Sequence, residues 1–153
     1  VSHVVFNERG IIMRYLLLIS HGTFAPGLHS VLDMLLGKRD DILSCSMVVG
    51  MGADASTENL RVTIEPIRSG DEVVVMADII GGSPLTNTLN TLDELGLLAK
   101  STAFVGMNLP MAISAVMEKD GTSLAELGRV ILGEGKDGMR EVELNLGDED
   151  EDV

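Results

Sequence analysis

The sequence contains no tryptophan, one tyrosine and three phenylalanines in 153 residues. Proteins that hold single-stranded nucleic acid stack bases on aromatic rings, so that mode of binding has almost no material here. Basic residues are scarce as well. Eleven Lys and Arg stand against 24 Asp and Glu, and the formal net charge of −13 repels phosphate backbones and anionic membranes while attracting a basic protein partner. No apolar run approaches the roughly 18 residues that span a bilayer, and the N-terminus lacks the basic, apolar and small-residue pattern of a secretory signal. The chain reads as soluble and cytoplasmic, with no nucleic-acid binding and no direct membrane insertion. The single cysteine, Cys45, excludes an internal disulfide, and its setting in "ILSCSMVVG" points to burial. The three histidines, His3, His21 and His29, share no zinc-like spacing with each other or with Cys45, so no metal or cofactor is expected. There is no G-x-S-x-G elbow, Walker A loop or GxGxxG fingerprint.

What is present is a hydrophobic content of 45%, enough for one compact domain with a full core. Residues 1–12 precede Met13, where a strand-like segment begins, and read as a leader or disordered extension. Residues 148–153 belong to the acidic run that ends the chain and read as a solvated, disordered tail. The domain is therefore expected over 13–147. "YLLLI" (Tyr15 to Ile19) is a short continuous apolar run of the kind covered on both faces of a sheet. Leu28, Val31, Leu32 and Leu35 follow at helical spacing, with Gly37 as a stop. The same order repeats: a strand over Ile42 to Val49, a helix over Thr57 to Arg68, the strand "EVVVMADI", and a helix carrying Leu85, Leu89, Leu92 and Leu95. A fourth strand is expected over Ser101 to Met107, then helices over Met111 to Lys119 and Leu124 to Leu132. Alternating strands and helices with short links predict an α/β fold, a three-layer, open, mainly parallel sheet with helices on both faces. After the Gly-rich, flexible "GEGKDG", Val142, Leu144 and Leu146 alternate with polar residues. That pattern predicts an antiparallel edge strand, paired in its own sheet or reaching to a neighbouring subunit.

In open α/β sheets, ligand sites lie at the carboxyl ends of the strands, near the point where strand order reverses. Two such ends are polar here. The first strand runs out at His21 in "SHGTFAPG", and the third at Asp78, followed by Gly81, Gly82 and Ser83 at the start of a helix. If the two strands are neighbours, a carboxylate on one ring nitrogen fixes the tautomer and leaves the other nitrogen as a nucleophile or base. The amides of Gly81 to Ser83, at a helix N-terminus, favour an anion such as phosphate. Ser83 also reads as an N-cap ahead of Pro84. Together these features suggest phosphoryl transfer onto histidine, chemistry in which a protein supplies mostly positioning and charge stabilisation. His29, between apolar positions of the first helix, reads as a surface or packing residue.

Taken in order, "SHGTFAPG", "MLLG", "ADIIGGSP", "GMNLPM" and a late "GKDG" resemble the enzyme IIA component of the mannose family of the bacterial phosphoenolpyruvate:sugar phosphotransferase system. The resemblance runs from Met13 to about Gly138. It implies a phosphocarrier that takes a phosphoryl group from the histidine phosphocarrier protein and passes it to an enzyme IIB partner. His21 would be phosphorylated on Nε2, Asp78 would hold Nδ1, and Gly81, Gly82 and Ser83 would lie near the phosphate. It also implies a homodimer that exchanges a C-terminal strand, for which Val142 to Leu146 is the equivalent. Where the family often has Asn two residues after the Pro of "GGSP", Thr86 stands, with Asn87 next. Two other readings fit the same residues: the related phosphocarrier serving dihydroxyacetone phosphorylation, and a regulatory module whose affinity for a target depends on the state of His21.

Overall fold

A computed structural model of the protein describes residues 6–7 and 10–144. Two short strands, β1 (Phe6–Asn7) and β2 (Gly10–Ile11), pair antiparallel ahead of the main body. The body then alternates β3 (Arg14–His21), α1 (Phe24–Leu36), β4 (Ile42–Met47), α2 (Ala53–Thr63), β5 (Glu72–Ala77), α3 (Ser83–Glu94), β6 (Ser101–Val105), α4 (Leu109–Glu118) and α5 (Leu124–Asp137). The four strands from β3 onward form one parallel sheet in the order β4-β3-β5-β6.

The apolar runs are continuous because both faces of the sheet are covered. Leu16 and Leu18 of β3 and Val74 and Met76 of β5 point into a core shared with α1, α4 and α5. Leu17, Ile19, Val73 and Val75 point the other way, into a core with Leu60 of α2 and Leu85 and Leu92 of α3. Leu16, Leu17 and Leu18 are fully buried, each worth about 2 kcal/mol relative to an exposed side chain. The connection from β3 to β4 leaves with α1 on one face, and those to β5 and β6 run the opposite way with α2 and α3 on the other, as a constant crossover hand requires. The strand order therefore reverses between β3 and β5.

The opposite, amino-terminal edge of the sheet carries an ionic cluster. Lys119, with a side chain only 1% exposed, bonds Asp41 at 2.5 Å and Asp120 at 2.7 Å. Arg39 holds Asp41 with two bonds, at 2.8 and 2.7 Å. Arg14 donates to the carbonyl oxygens of Lys119 and Thr122. Burial by itself would push the Asp41 carboxyl up, but the hydrogen bonds and charges of Arg39 and Lys119 outweigh it and hold the carboxyl at about 2.

Element boundaries depart from the sequence reading in a few places. Helix α2 starts at Ala53 and ends at Thr63, since Pro66 disfavours helical backbone in the residue before it. Ile64 and Ile67 are still buried, carried by the turn after the helix, where Ile67 N–H donates to the Ile64 carbonyl. Leu35 and Leu95 are exposed: at the end of α1 it is Leu36 that packs against the core, and Leu95 lies just beyond the end of α3. "GEGKDG" is not a flexible link: α5 continues through it to Asp137. A Cβ on Gly135 would stand 3.1 Å from the Met111 Cβ, and one on Gly138 2.4 Å from Pro110 Cγ. These glycines let the end of α5 approach α4. Val142 and Leu144 are exposed and pair with no strand among the described residues, and Asn145, Leu146 and residues 148–153 lie outside them. No helix among the described residues is long and apolar enough to cross a membrane.

Candidate active site

Strands β3 and β5 run side by side in register, Ile19 opposite Ala77. His21 and Asp78, each just past that last pair, therefore emerge together at the carboxyl edge where the strand order reverses. Asp78 Oδ2 accepts two hydrogen bonds from the same residue, from His21 backbone N–H at 2.9 Å and from ring Nδ1 at 2.9 Å. Asp78 Oδ1 accepts from Ile79 N–H at 2.9 Å. Partial burial pushes the Asp78 carboxyl up, yet the backbone and ring bonds from His21, the Ile79 amide and the nearby imidazole pull it further down, so it lies below the ordinary carboxylate value. An ionised carboxylate has no proton to give, so Nδ1 carries the hydrogen and, in the neutral ring, Nε2 holds a free lone pair. The His21 side chain is 49% exposed and that of Asp78 18%, so the ring reaches solvent while its partner is more sheltered.

The GGS segment arrives at the same ring. Gly81 has φ +73, a left-handed conformation that glycine adopts without strain. The next residue, Gly82, is the N-cap of α3, and Ser83 is its first residue with Pro84 behind it. The expected cap is thus displaced by one residue, and no side chain caps this helix. Gly82 lies against the imidazole: an added Cβ would stand 2.7 Å from His21 Cε1 and 3.4 Å from Nε2. The amino end of α3 therefore borders the edge that bears the free nitrogen. Gly81 and Ser83 also line, with Met47, Asn87 and Asn90, an open groove of about 260 Å³. Asn87 itself bridges α3 to α2, accepting from Thr57 Oγ1 at 2.9 Å and donating to Ser56 Oγ.

Several residues that hold the site lie in motifs quoted from the sequence but were given no role there. Ser20 is fully buried, and its Oγ accepts from Ala25 N–H at 2.7 Å, tying the end of β3 to the first turn of α1. Gly106 donates to the Asp78 carbonyl at 3.2 Å, and Met107 to that of Ala77 at 3.0 Å. Asn108 caps α4 through Met111 N–H and reaches the Gly135 carbonyl on α5, each at 3.0 Å. "GMNLPM" thus fixes the backbone of Asp78 and makes no hydrogen bond to the imidazole. His29 is a packing residue, with Nδ1 2.9 Å from Ser44 Oγ on β4. Cys45 is buried, and that burial pushes its thiol up despite hydrogen bonds from Thr63 and Ser46, which leaves it poorly suited to nucleophilic chemistry. Among the described residues no group of His, Cys, Asp and Glu is placed to hold a metal ion.

The chain is thus an open parallel α/β protein with a half-exposed histidine, held by a carboxylate, at the reversal point of its sheet beside a helix N-terminus. The chain belongs to the EIIA-man family, the PTS system fructose IIA component, whose family model matches residues 15–132. The mannose-specific EIIAB component of Escherichia coli K12 is 24% identical over 122 residues, 79% of this chain. The chain spans only 37% of that relative's length. The mannose/sorbose-specific IIA subunit from Enterococcus faecalis shares the fold at a TM-score of 0.72 and 23% identity, with 87% of this chain and 97% of that one covered. A IIA protein associated with the fucose utilisation operon of Streptococcus pneumoniae gives 0.71 and 22%, covering 89% and 98%.

Proposed function

We propose that this protein is a phosphohistidine carrier that accepts a phosphoryl group on Nε2 of His21 from the histidine phosphocarrier protein and passes it to an enzyme IIB component during sugar uptake. The observation that carries this reading is the double hold of Asp78 Oδ2 on His21, which keeps the proton on Nδ1 and the lone pair on exposed Nε2. In the forward step that lone pair forms an N–P bond as the N–P bond of the donor breaks, and the bonding electrons return to the donor's ring nitrogen. Phosphorylated His21 then reverses the roles toward the acceptor. The Nδ1 proton stays on the ring throughout, and the ionised Asp78 stabilises the positive charge the imidazole develops. Gly81, Gly82 and Ser83 supply the amino end of α3 to the phosphoryl oxygens.

Both partners must reach His21, and the surface around it suits brief protein contact. Phe24, Ile79 and Ile80 stand exposed on the segments that follow β3 and β5, and Val48 and Val49 on the segment that follows β4. The net charge of −13 draws in partners with basic faces. The carrier domain is residues 13–147. Its active form is a homodimer in which the exposed Val142 and Leu144 begin a strand that adds to the partner's sheet.

Incubation with phosphoenolpyruvate, enzyme I and the histidine phosphocarrier protein tests the reading. The expected product carries one acid-labile, base-stable phosphate, which moves on when an enzyme IIB protein is added. His21→Ala should take none. Labelling that persists in that variant overturns the assignment.

A further inference from the structure

We propose that Gly82 is a positioning residue for His21, its bare Cα leaving just room for the Cε1 corner of the imidazole whose Nδ1 Asp78 holds. The inference rests on the phosphocarrier reading only where it concerns transfer rate. The torsion that swings an imidazole about its Cβ–Cγ bond is broad and weakly defined, so a single ring hydrogen bond leaves a half-exposed histidine free to rock. Here the Nδ1 corner is held by Asp78 at 2.9 Å. The Cε1 corner, which joins Nδ1 to the reactive Nε2, abuts Gly82 so closely that a Cβ there would stand 2.7 Å away. The same Cβ would lie 3.2 Å from Ile79 Cγ2, so it has no free space to turn into.

The backbone of Gly82 does not itself call for glycine. Its φ of −76 and ψ of 151 belong to the extended region open to every residue, whereas its neighbour Gly81, at φ +73, sits where glycine is favoured. What Gly82 provides is the absence of a side chain. A methyl group there forces one of two outcomes. Either the ring turns away and loosens its bond to Asp78, or the Gly81–Gly82 segment retreats and takes the amino end of α3 away from Nε2. Both misplace the reacting nitrogen relative to the groups that serve it.

Two measurements on Gly82→Ala test this. Gly133→Ala serves as the control, a change on α5 where an added Cβ meets nothing within 4 Å. In protein labelled with 15N-histidine, the wild type and the control should show a pyrrole-like Nδ1 and a pyridine-like Nε2 for His21. Gly82→Ala should average or exchange those signals, and its labelling by the phosphocarrier should slow about a hundredfold, the cost of a misplacement near 1 Å. The second measurement is a thermal-unfolding cycle with His21→Ala, which requires neither phosphate nor an undamaged single variant. The destabilisation caused by Gly82→Ala should shrink once the ring is removed. Unchanged ring signals in Gly82→Ala, or unfolding penalties that simply add, would overturn the inference. A wild type that never takes up phosphate would sink the carrier reading and leave both of these readouts intact.

Discussion

At the scale of single residues, Asp78 is the group on which the proposed chemistry turns, because one oxygen serves both the backbone and the ring of His21. Its carboxyl is lower in the folded protein than in the unfolded chain. Its contribution to stability is therefore complete above the ordinary carboxylate range and is lost as the pH falls through the depressed folded value. Asp78→Asn keeps the shape and removes the charge. It should retain a native-like circular dichroism spectrum while phosphorylation of His21 slows by up to about 10⁴-fold, the loss seen when an imidazole loses its orienting carboxylate and with it the correct tautomer. A variant that is labelled at the wild-type rate would show the carboxylate to be dispensable. The meeting of His21 and Asp78 was legible in the sequence, since each follows an apolar run of the kind a buried strand carries and the two strands are neighbours. The role of Gly82 was not legible, because it depends on the space left by an imidazole from another strand.

At the scale of elements, the helix starts show why some supporting residues escaped a reading by local pattern. Thr23 is the N-cap of α1, but its side chain makes no capping bond. The work falls to Ser20, which reaches forward to Ala25 N–H from inside the strand. A cap is expected next to its helix, and only the tight turn through Gly22 brings Ser20 within reach. Ser20→Ala should cost about 1 kcal/mol in denaturant unfolding, the usual loss for a capping hydroxyl, without changing the register of β3. A loss within error of zero would mean that water replaces the hydroxyl. The glycines late in α5 misled for a similar reason. Glycine is a poor helix former, and "GEGKDG" reads as a break until Met111 and Pro110 are found where side chains would otherwise be. Helical periodicity shows which face of a helix is apolar. It does not show how closely the neighbouring helix approaches.

For the molecule as a whole, the sheet separates two polar poles. The carboxyl edge carries the outward-facing histidine, and the amino edge carries the buried cluster of Lys119, Asp41, Asp120, Arg39 and Arg14. Charges cost most to bury when unpaired, and here each finds partners across separate segments of the chain. With Asp41 held at about 2 in the folded state, its contribution is complete above the ordinary value near 4 and is lost as the pH falls through about 2. Stability measured by denaturant between pH 6 and pH 2 should fall by about 2 kcal/mol on this account, and Asp41→Asn should show a correspondingly shallower decline. Equal pH profiles for the two proteins would remove Asp41 from the acid response. The parallel sheet and its two helical layers could be read from the alternation of apolar runs and helical stripes. The ionic cluster could not, since Lys119 at the end of a helix and Asp41 just ahead of a strand look like ordinary surface charges. The placing of His21 and Asp78 has one more consequence. Neither residue is near the other along the chain, and their contact exists only once β3 has zipped against β5 in the register that sets Ile19 opposite Ala77. A nascent or slipped chain therefore carries a plain histidine, free to take either tautomer, and the single Nδ1–H form is a property of the assembled strand pair, not of either residue alone.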